Sequence, residues 1–223
     1  MNPTDSQYDV LTGLLSRKAF LEEFAKAIKV SQTNDRPTTL ALLDIDDFLR
    51  VNTEYGHQCG DDVLIILANF IKNNLGISAI PARFGGDEFA ILFPDTDREQ
   101  AFLTLENIRK EMEKHHFLES EHQTVFKGIT ITGGIASYPI DGRNEAELIR
   151  KADQALYRGK NSTRNTIRLA YEERMVPKTT HFTLTQLERL SKLANEKNAG
   201  EAELLREALD DLLIKYGVNE IET

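Results

Sequence analysis

Residues 38–45, TTLALLDI, form a short continuous apolar run that passes straight into the carboxylates Asp44, Asp46 and Asp47. Without the alternation of a half-exposed strand, it reads as a buried one, and a buried strand needs other elements to cover it. The rest of the chain offers them. Residues 20–30 place Phe20, Leu21, Phe24, Ala27 and Ile28 on one helical face, and residues 61–75 read as a second helix with Asp61 or Asp62 as a cap. Residues 79–83 and 88–94 read as strands joined through Phe84-Gly85-Gly86-Asp87, a hairpin signal. Helical periodicity returns over 97–115 and 145–160, with strands expected over 128–137 and 166–170. This order predicts helices packed on a mainly antiparallel sheet, an α+β domain.

Beyond about residue 172 the character changes. Residues 172–178 are charged and contain Pro177, a plausible linker; residues 178–184 alternate like a strand; two helices follow around Leu187–Ala194 and over 202–216. One strand and two helices cannot bury a core unaided, so this tail is expected to find its partner in another chain. The domain plan is therefore 1–172, a linker over 173–178 and a small domain over 179–217.

Composition removes several function classes. With 40% apolar residues there is material for a core, and a net charge of −9 argues against coating nucleic acid by charge alone. No apolar run approaches the ~20 residues that span a bilayer. The opening MNPTDSQYDV lacks a basic start before an apolar stretch, so no secretory signal is expected. Cys59 is the sole cysteine, which excludes internal disulfides and cysteine-rich zinc sites. A soluble, cytoplasmic protein without a membrane partner is the expectation. With little chain before Asp9, the tail is the expected regulator.

Two acidic places could carry chemistry. Asp44 ends the buried strand, and Asp87-Glu88 follows two glycines at a hairpin tip. Carboxylates on adjacent strand ends can hold Mg2+, with water and phosphates completing the octahedron. Gly85 and Gly86 let the backbone turn sharply and approach a bulky anion. Singly, each is more simply a polar turn. Together with DVLTGLLSR at 9–17, DIDDFLRVNTEYGHQCGDDVL at 44–64, RFGGDEF at 83–89, GGIA at 133–136 and ADQALYRGKNSTRN at 152–165, they form five motifs in register. In that order the chain resembles the GGDEF family of diguanylate cyclases across nearly all of residues 8–170.

The resemblance implies a palm-like, ferredoxin-like nucleotidyl-cyclase fold and the joining of two GTP molecules into cyclic di-GMP, a bacterial second messenger, with release of two pyrophosphates. Carried over by position, it implies Asp44, the carbonyl of Ile45 and Asp87 as ligands of Mg2+ or Mn2+. Asp87 or Glu88 would accept the 3′-hydroxyl proton. Asn52 and Asp61 match guanine-binding positions, where an acceptor-only carboxylate suits the donors of guanine and penalises adenine. Gly85, Gly86 and His57 would lie near the nucleotide. Lys160 and Arg164 match phosphate contacts, and a spacing of four on a helix end would face both to one anion.

Three positions depart from the family pattern. Leu49 stands where a phosphate-stabilising Lys is usual, a loss worth about 10²-fold in rate; Arg50 follows, but one residue along an extended segment points elsewhere. Ser16 replaces an Asn and Thr163 a Gly, both milder. The window 76–79 lacks the Arg and Asp of the family's RxxD product-inhibition site, so high-affinity feedback there is not expected.

The tail, TTHFTLTQLERLSKLANEKNAGEAELLREALDDLLIKY, resembles the ribbon-helix-helix family, in which two chains pair strands into a ribbon that enters the DNA major groove. That implies a homodimer, buries Thr180, Phe182 and Leu184, and presents Thr179, His181 and Thr183 to DNA. From residue 166 onward 8 basic residues face 11 acidic ones, a net −3, which is poor for phosphate binding although only the local field at the ribbon matters; the plainer reading is a dimerisation device that never touches DNA. The sequence thus points to a diguanylate cyclase dimerised, and regulated through DNA, by its tail. The alternative is a weakly active or inactive regulator that senses GTP or cyclic di-GMP and binds DNA.

Overall fold

The computed structural model describes residues 7–118, 125–127, 129–170, 179–197 and 200–217. Contacts divide the chain into two units, Met1–Glu172 and Glu173–Thr223; the expected linker over 173–178 lies outside the described residues. In chain order the first unit holds β1 (Leu15–Ser16), α1 (Arg17–Asn34), β2 (Thr38–Ile45), α2 (Phe48–Asn74), β3 (Ile80–Gly85), β4 (Glu88–Pro94) and α3 (Arg98–Lys114). It continues with β5 (His116–Leu118), β6 (Val125–Lys127), β7 (Ile131–Tyr138), α4 (Glu145–Asn161) and β8 (Ile167–Leu169). Six strands form one sheet in the order β1-β3-β4-β2-β7-β8, and β5 pairs with β6 in a separate hairpin. The central pairings are antiparallel, while both edge strands, β1 and β8, run parallel to their neighbours.

The apolar run of β2 is explained by its central place. Leu40 and Leu42 pack with Phe20, Phe24 and Ile28 of α1 and Leu148, Ala152 and Leu156 of α4. Ala41, Leu43 and Ile45 join the opposite core with Val63, Leu67 and Ile71 of α2 and Leu105, Ile108 and Met112 of α3. With helices on both faces, every second residue finds an apolar partner whichever way it points.

Some elements differ from the sequence reading. The helix expected from residue 61 begins at Phe48, and it kinks at Gly56, whose φ of 83° leaves the helical region. Asp61 and Asp62 therefore sit inside α2 and cap nothing at its start, which follows Asp47. The two-residue β1 and the β5–β6 hairpin carry too few residues to show a period. Ser16, the residue that departs from an expected Asn, accepts a hydrogen bond from the Ala19 N–H as N-cap of α1. Ser and Asn cap almost equally well, so either residue could start this helix.

The second unit contains α5 (Leu184–Lys197) and α6 (Glu201–Lys215), which pack on each other with Ala194 buried. The strand expected over 178–184 is not found among the described residues. Leu184 already belongs to α5, because Thr183 and Gln186 form a reciprocal cap: the Gln186 N–H donates to the Thr183 hydroxyl at 3.2 Å, and the Thr183 N–H donates to Gln186 Oε1 at 2.9 Å. Thr180, Phe182 and Leu184, expected to be buried, are exposed, with Phe182 at 42% and Leu184 at 74%. A ribbon strand takes its hydrogen bonds from a second chain, and one chain offers residues 179–183 no such edge.

Two glycines set the approach of α4 to the sheet. A Cβ on Gly134 of β7 would lie 2.0 Å from the Ala152 carbonyl oxygen and 2.4 Å from the Leu156 nitrogen. One on Gly159 would lie 2.6 Å from Thr132 Cγ2. Because the Gly134 obstacles are backbone atoms, Gly134→Ala is expected to destabilise the chain by about 3 kcal/mol, read as a lower midpoint in denaturant melts. A midpoint within error of the parent would contradict this packing.

Candidate active site

Asp44 and Glu88 are direct cross-strand partners at the ends of β2 and β4. The Ile45 N–H donates to the Asp87 carbonyl at 3.4 Å, tying the hairpin turn to the end of β2. Asp87 is half-buried and Glu88 exposed. Three carboxylates thus crowd one sheet end. Burial pushes the Asp44 carboxyl above the usual range, and Asp87 and Glu88 push the same way, against the pull of Lys160.

Lys160, on the last turn of α4, answers that charge. Its ammonium donates to Asp44 Oδ1 at 2.5 Å and to the Ile45 carbonyl at 3.2 Å, and lies 2.9 Å from Asp46 Oδ1. A lysine ammonium has three N–H donors, and three oxygens meet it here. Gly134 and Gly159, by admitting α4 so close to the sheet, are what bring Lys160 to the strand end. Asp44 and the Ile45 carbonyl, the oxygens expected to bind a metal, therefore already cradle a cation. Among the described residues no three His, Cys, Asp or Glu side chains converge on a metal position. The donor set is instead two carboxylates and a carbonyl, all hard oxygen, which fits Mg2+ or Mn2+ with water and phosphate as further ligands.

Asp46 was visible in the sequence only as part of an acidic cluster, and the structure gives it a distinct place. It is 5% exposed. The Thr132 hydroxyl donates to its Oδ1 at 2.8 Å, and the Thr130 hydroxyl and the Asn165 N–H donate to its Oδ2 at 2.7 and 3.0 Å. Burial alone would raise this carboxyl, but Lys160 and these donors hold it below the usual range. Asn165 is in turn held by α3: Arg109 donates to its Oδ1 at 2.7 Å, and its amide donates to Glu113 at 3.0 Å.

The hairpin is braced from behind. Gly86 turns with φ of 47°, a conformation that suits glycine, and the register shifts between Arg83 and Gly85. Arg83 donates twice to the Gly86 carbonyl, at 2.9 and 2.8 Å, and pairs with Asp9 at 3.3 Å. Asp9 accepts from the N–H and hydroxyl of Thr12 at 2.8 and 2.7 Å. Arg17 stacks over the Phe84 ring at 4.5 Å, and Phe20 meets the same ring edge-on. The first and third motifs are thus one mechanical unit.

The remaining positions separate into groups. Asn52 is half-buried and lies against Gly60, where a Cβ would come within 2.0 Å of its Oδ1, so it sits beside the neighbour of Asp61. His57 is exposed just past the kink. Arg164 is not on the helix, as its spacing from Lys160 suggested: α4 ends at Asn161, and Arg164 has a positive φ of 50°, with its guanidinium 3.9 Å from Asp47. Leu49 is 80% exposed on the first turn of α2. Arg50 follows on a helix rather than an extended segment, about 100° around the axis, and lies 3.9 Å from Glu54. In the second unit Thr179 and His181 are exposed and lie in no strand, and the hydroxyl of Thr183 serves the cap.

Residues 6–166 match the family model described as the GGDEF domain of diguanylate cyclases. A diguanylate cyclase of Pseudomonas aeruginosa, DgcP, is 37% identical over 166 residues, covering 73% of this chain and 24% of that protein. The chain spans less than two thirds of other curated relatives too, 35% of the response regulator PleD of Caulobacter vibrioides. Among solved structures, the GGDEF domain of DgcB from Caulobacter crescentus in complex with c-di-GMP is 33% identical, with a TM-score of 0.71 over 74% of this chain and 96% of that one.

Asp9 gives the site a pH signature. Its folded value lies below the ordinary 3.8: burial opposes ionisation, but the Thr12 hydrogen bonds and the Arg83 charge outweigh it. A depressed carboxyl contributes stability above the unfolded value and loses it as pH falls through the folded one. Asp9→Asn is therefore expected to lower the melting temperature at pH 7 and to lose that effect as pH falls below 3.8. An equal deficit at both ends would contradict the ionised clamp.

Proposed function

The chain belongs to the family of diguanylate cyclase GGDEF domains, and from that membership we propose that it condenses two GTP molecules into cyclic di-GMP. The observation that carries this reading is the strand-end cradle, in which Asp44 and the Ile45 carbonyl already bind a cation beside Asp87 and Glu88. Asp44, the Ile45 carbonyl and Asp87 would hold Mg2+ or Mn2+, which supplies charge neutralisation for the triphosphate. Lys160 and Arg164 bind phosphate oxygens. Asn52 and Asp61 read guanine, with Gly60 giving Asn52 its room, and Gly85, Gly86 and His57 border the nucleotide. Asp87 or Glu88 takes the proton of a 3′-hydroxyl as its oxygen attacks the α-phosphorus of the other GTP. The bond to the β-phosphate breaks and pyrophosphate leaves; the same exchange in the other direction closes the ring.

Each site holds one nucleotide, so two chains must face each other about a two-fold axis. We assign that task to the tail as a ribbon-helix-helix dimer. Phe182, Leu184, Leu209 and Tyr216 are exposed in the single chain and would be covered by a second copy, which raises the effective concentration of the facing site. Thr179 and His181 would lie on the outer face of the ribbon, open to DNA. Leu49 favours low turnover, and with it the second reading, a GTP- or cyclic di-GMP-sensing DNA-binding regulator.

Purified protein with GTP and Mg2+ is expected to release cyclic di-GMP and pyrophosphate, with Asp87→Ala lowering the rate by at least about 10²-fold and Leu49→Lys raising it by up to that factor. No product at high protein concentration would remove the cyclase reading and leave the sensor. The full chain is expected to sediment as a dimer, and Phe182→Asp as a monomer whose turnover recovers at high concentration. A gel shift that vanishes with salt would mark DNA binding, and a dimer untouched by Phe182→Asp would dismiss the ribbon.

A further inference from the structure

The three oxygens around the Lys160 ammonium are not equivalent. Asp44 and the Ile45 carbonyl belong to the proposed metal position, whereas Asp46 is turned into the protein and bonded by Thr130, Thr132 and the Asn165 N–H. Those donors fix the Asp46 carboxylate in place, on a side chain with 4% of its surface exposed. In this arrangement two N–H groups of the ammonium donate to Asp44 and the Ile45 carbonyl, and the Asp46 carboxylate pairs with it at 2.9 Å, so three protein oxygens hold it where phosphate would bind. Lys160 thus competes for the oxygens a divalent ion needs, and it contacts phosphate only after giving two of them up.

We propose that Asp46 is a positioning residue, the fixed post from which Lys160 yields Asp44 and the Ile45 carbonyl to a divalent ion without leaving the site. Held by Asp46, Lys160 turns two N–H donors from protein oxygens to the incoming phosphates. Metal occupancy and phosphate capture are then linked through one side chain. The inference rests on the metal position proposed above and adds Asp46, with Thr130, Thr132 and Asn165 behind it, to the residues that govern it.

The test uses Mn2+ alone with the nucleotide-free full chain, the free ion being counted by electron paramagnetic resonance. Lys160→Met removes the competing cation and is expected to tighten Mn2+ binding about tenfold. Asp46→Asn leaves the ammonium only the metal's own oxygens, so Mn2+ binding weakens about tenfold in the Lys160 chain and by less than about threefold in the Lys160→Met background. Equal factors in both backgrounds would reduce Asp46 to a nearby charge or a fold support and overturn the proposal. Weaker Mn2+ binding by Lys160→Met would overturn it too. Absence of Mn2+ binding in every variant would overturn both this and the metal position, which separates the two failures. Should Asp46→Asn melt below the working temperature, Thr132→Val loosens the same carboxylate with little change of shape and is expected to shift binding in the same direction; no shift counts against the post.

Discussion

Negative charge gathered at one end of the central sheet is the constraint around which the first unit is organised. Asp44 and Glu88 face each other across β2 and β4, with Asp87 at the adjoining turn. Partly buried carboxylates at such spacing repel and resist ionisation unless a cation is brought to them. The chain brings one from far along its length, on the last turn of α4. The helix–sheet packing, the Asp46 hydrogen bonds and the loop at Asn165 all determine where that ammonium can stand.

Close approach of backbone to backbone makes this possible. Gly134 admits α4 to the sheet and Gly159 admits its last turn to Thr132. Within α2, Gly60 gives the Asn52 side chain its place across the kink at Gly56. The Gly134 contact has no tolerance for a methyl group, because its obstacles are backbone atoms. The site is therefore precise for the same reason that the core is dense. The hairpin is held in the same spirit, with Arg83 gripping the Gly86 carbonyl and Asp9 gripping Arg83.

Much of this was legible in the residues. The unbroken apolar run of β2 announced burial on both faces, and Leu40 and Leu42 against α1 and α4, with Ala41 and Leu43 against α2 and α3, are its explanation. The glycine pair before Asp87 announced the turn. Other features left no local trace. The start of α2 at Phe48 was missed although Phe48, Val51, Tyr55 and Cys59 recur at helical spacing, because Gly56 at the kink breaks the run. The tail strand failed to appear because Thr183 and Gln186 start a helix and one chain has no second edge to offer. Arg164 was placed on a helix by spacing alone, and the helix ends before it.

What the sequence determined by itself was the alternation of elements, the family of the first unit and the residue types at the strand ends, because periodicity and motif spacing are properties of the chain taken locally. Tertiary structure alone decided which oxygens meet Lys160, that Asp46 is sealed behind Thr130 and Thr132, and that the hairpin leans on Asp9 through Arg83. Those contacts join residues about 75 to 120 positions apart. No local pattern encodes such a pairing; it exists only once the sheet order and the glycine-permitted helix approach have set the distances.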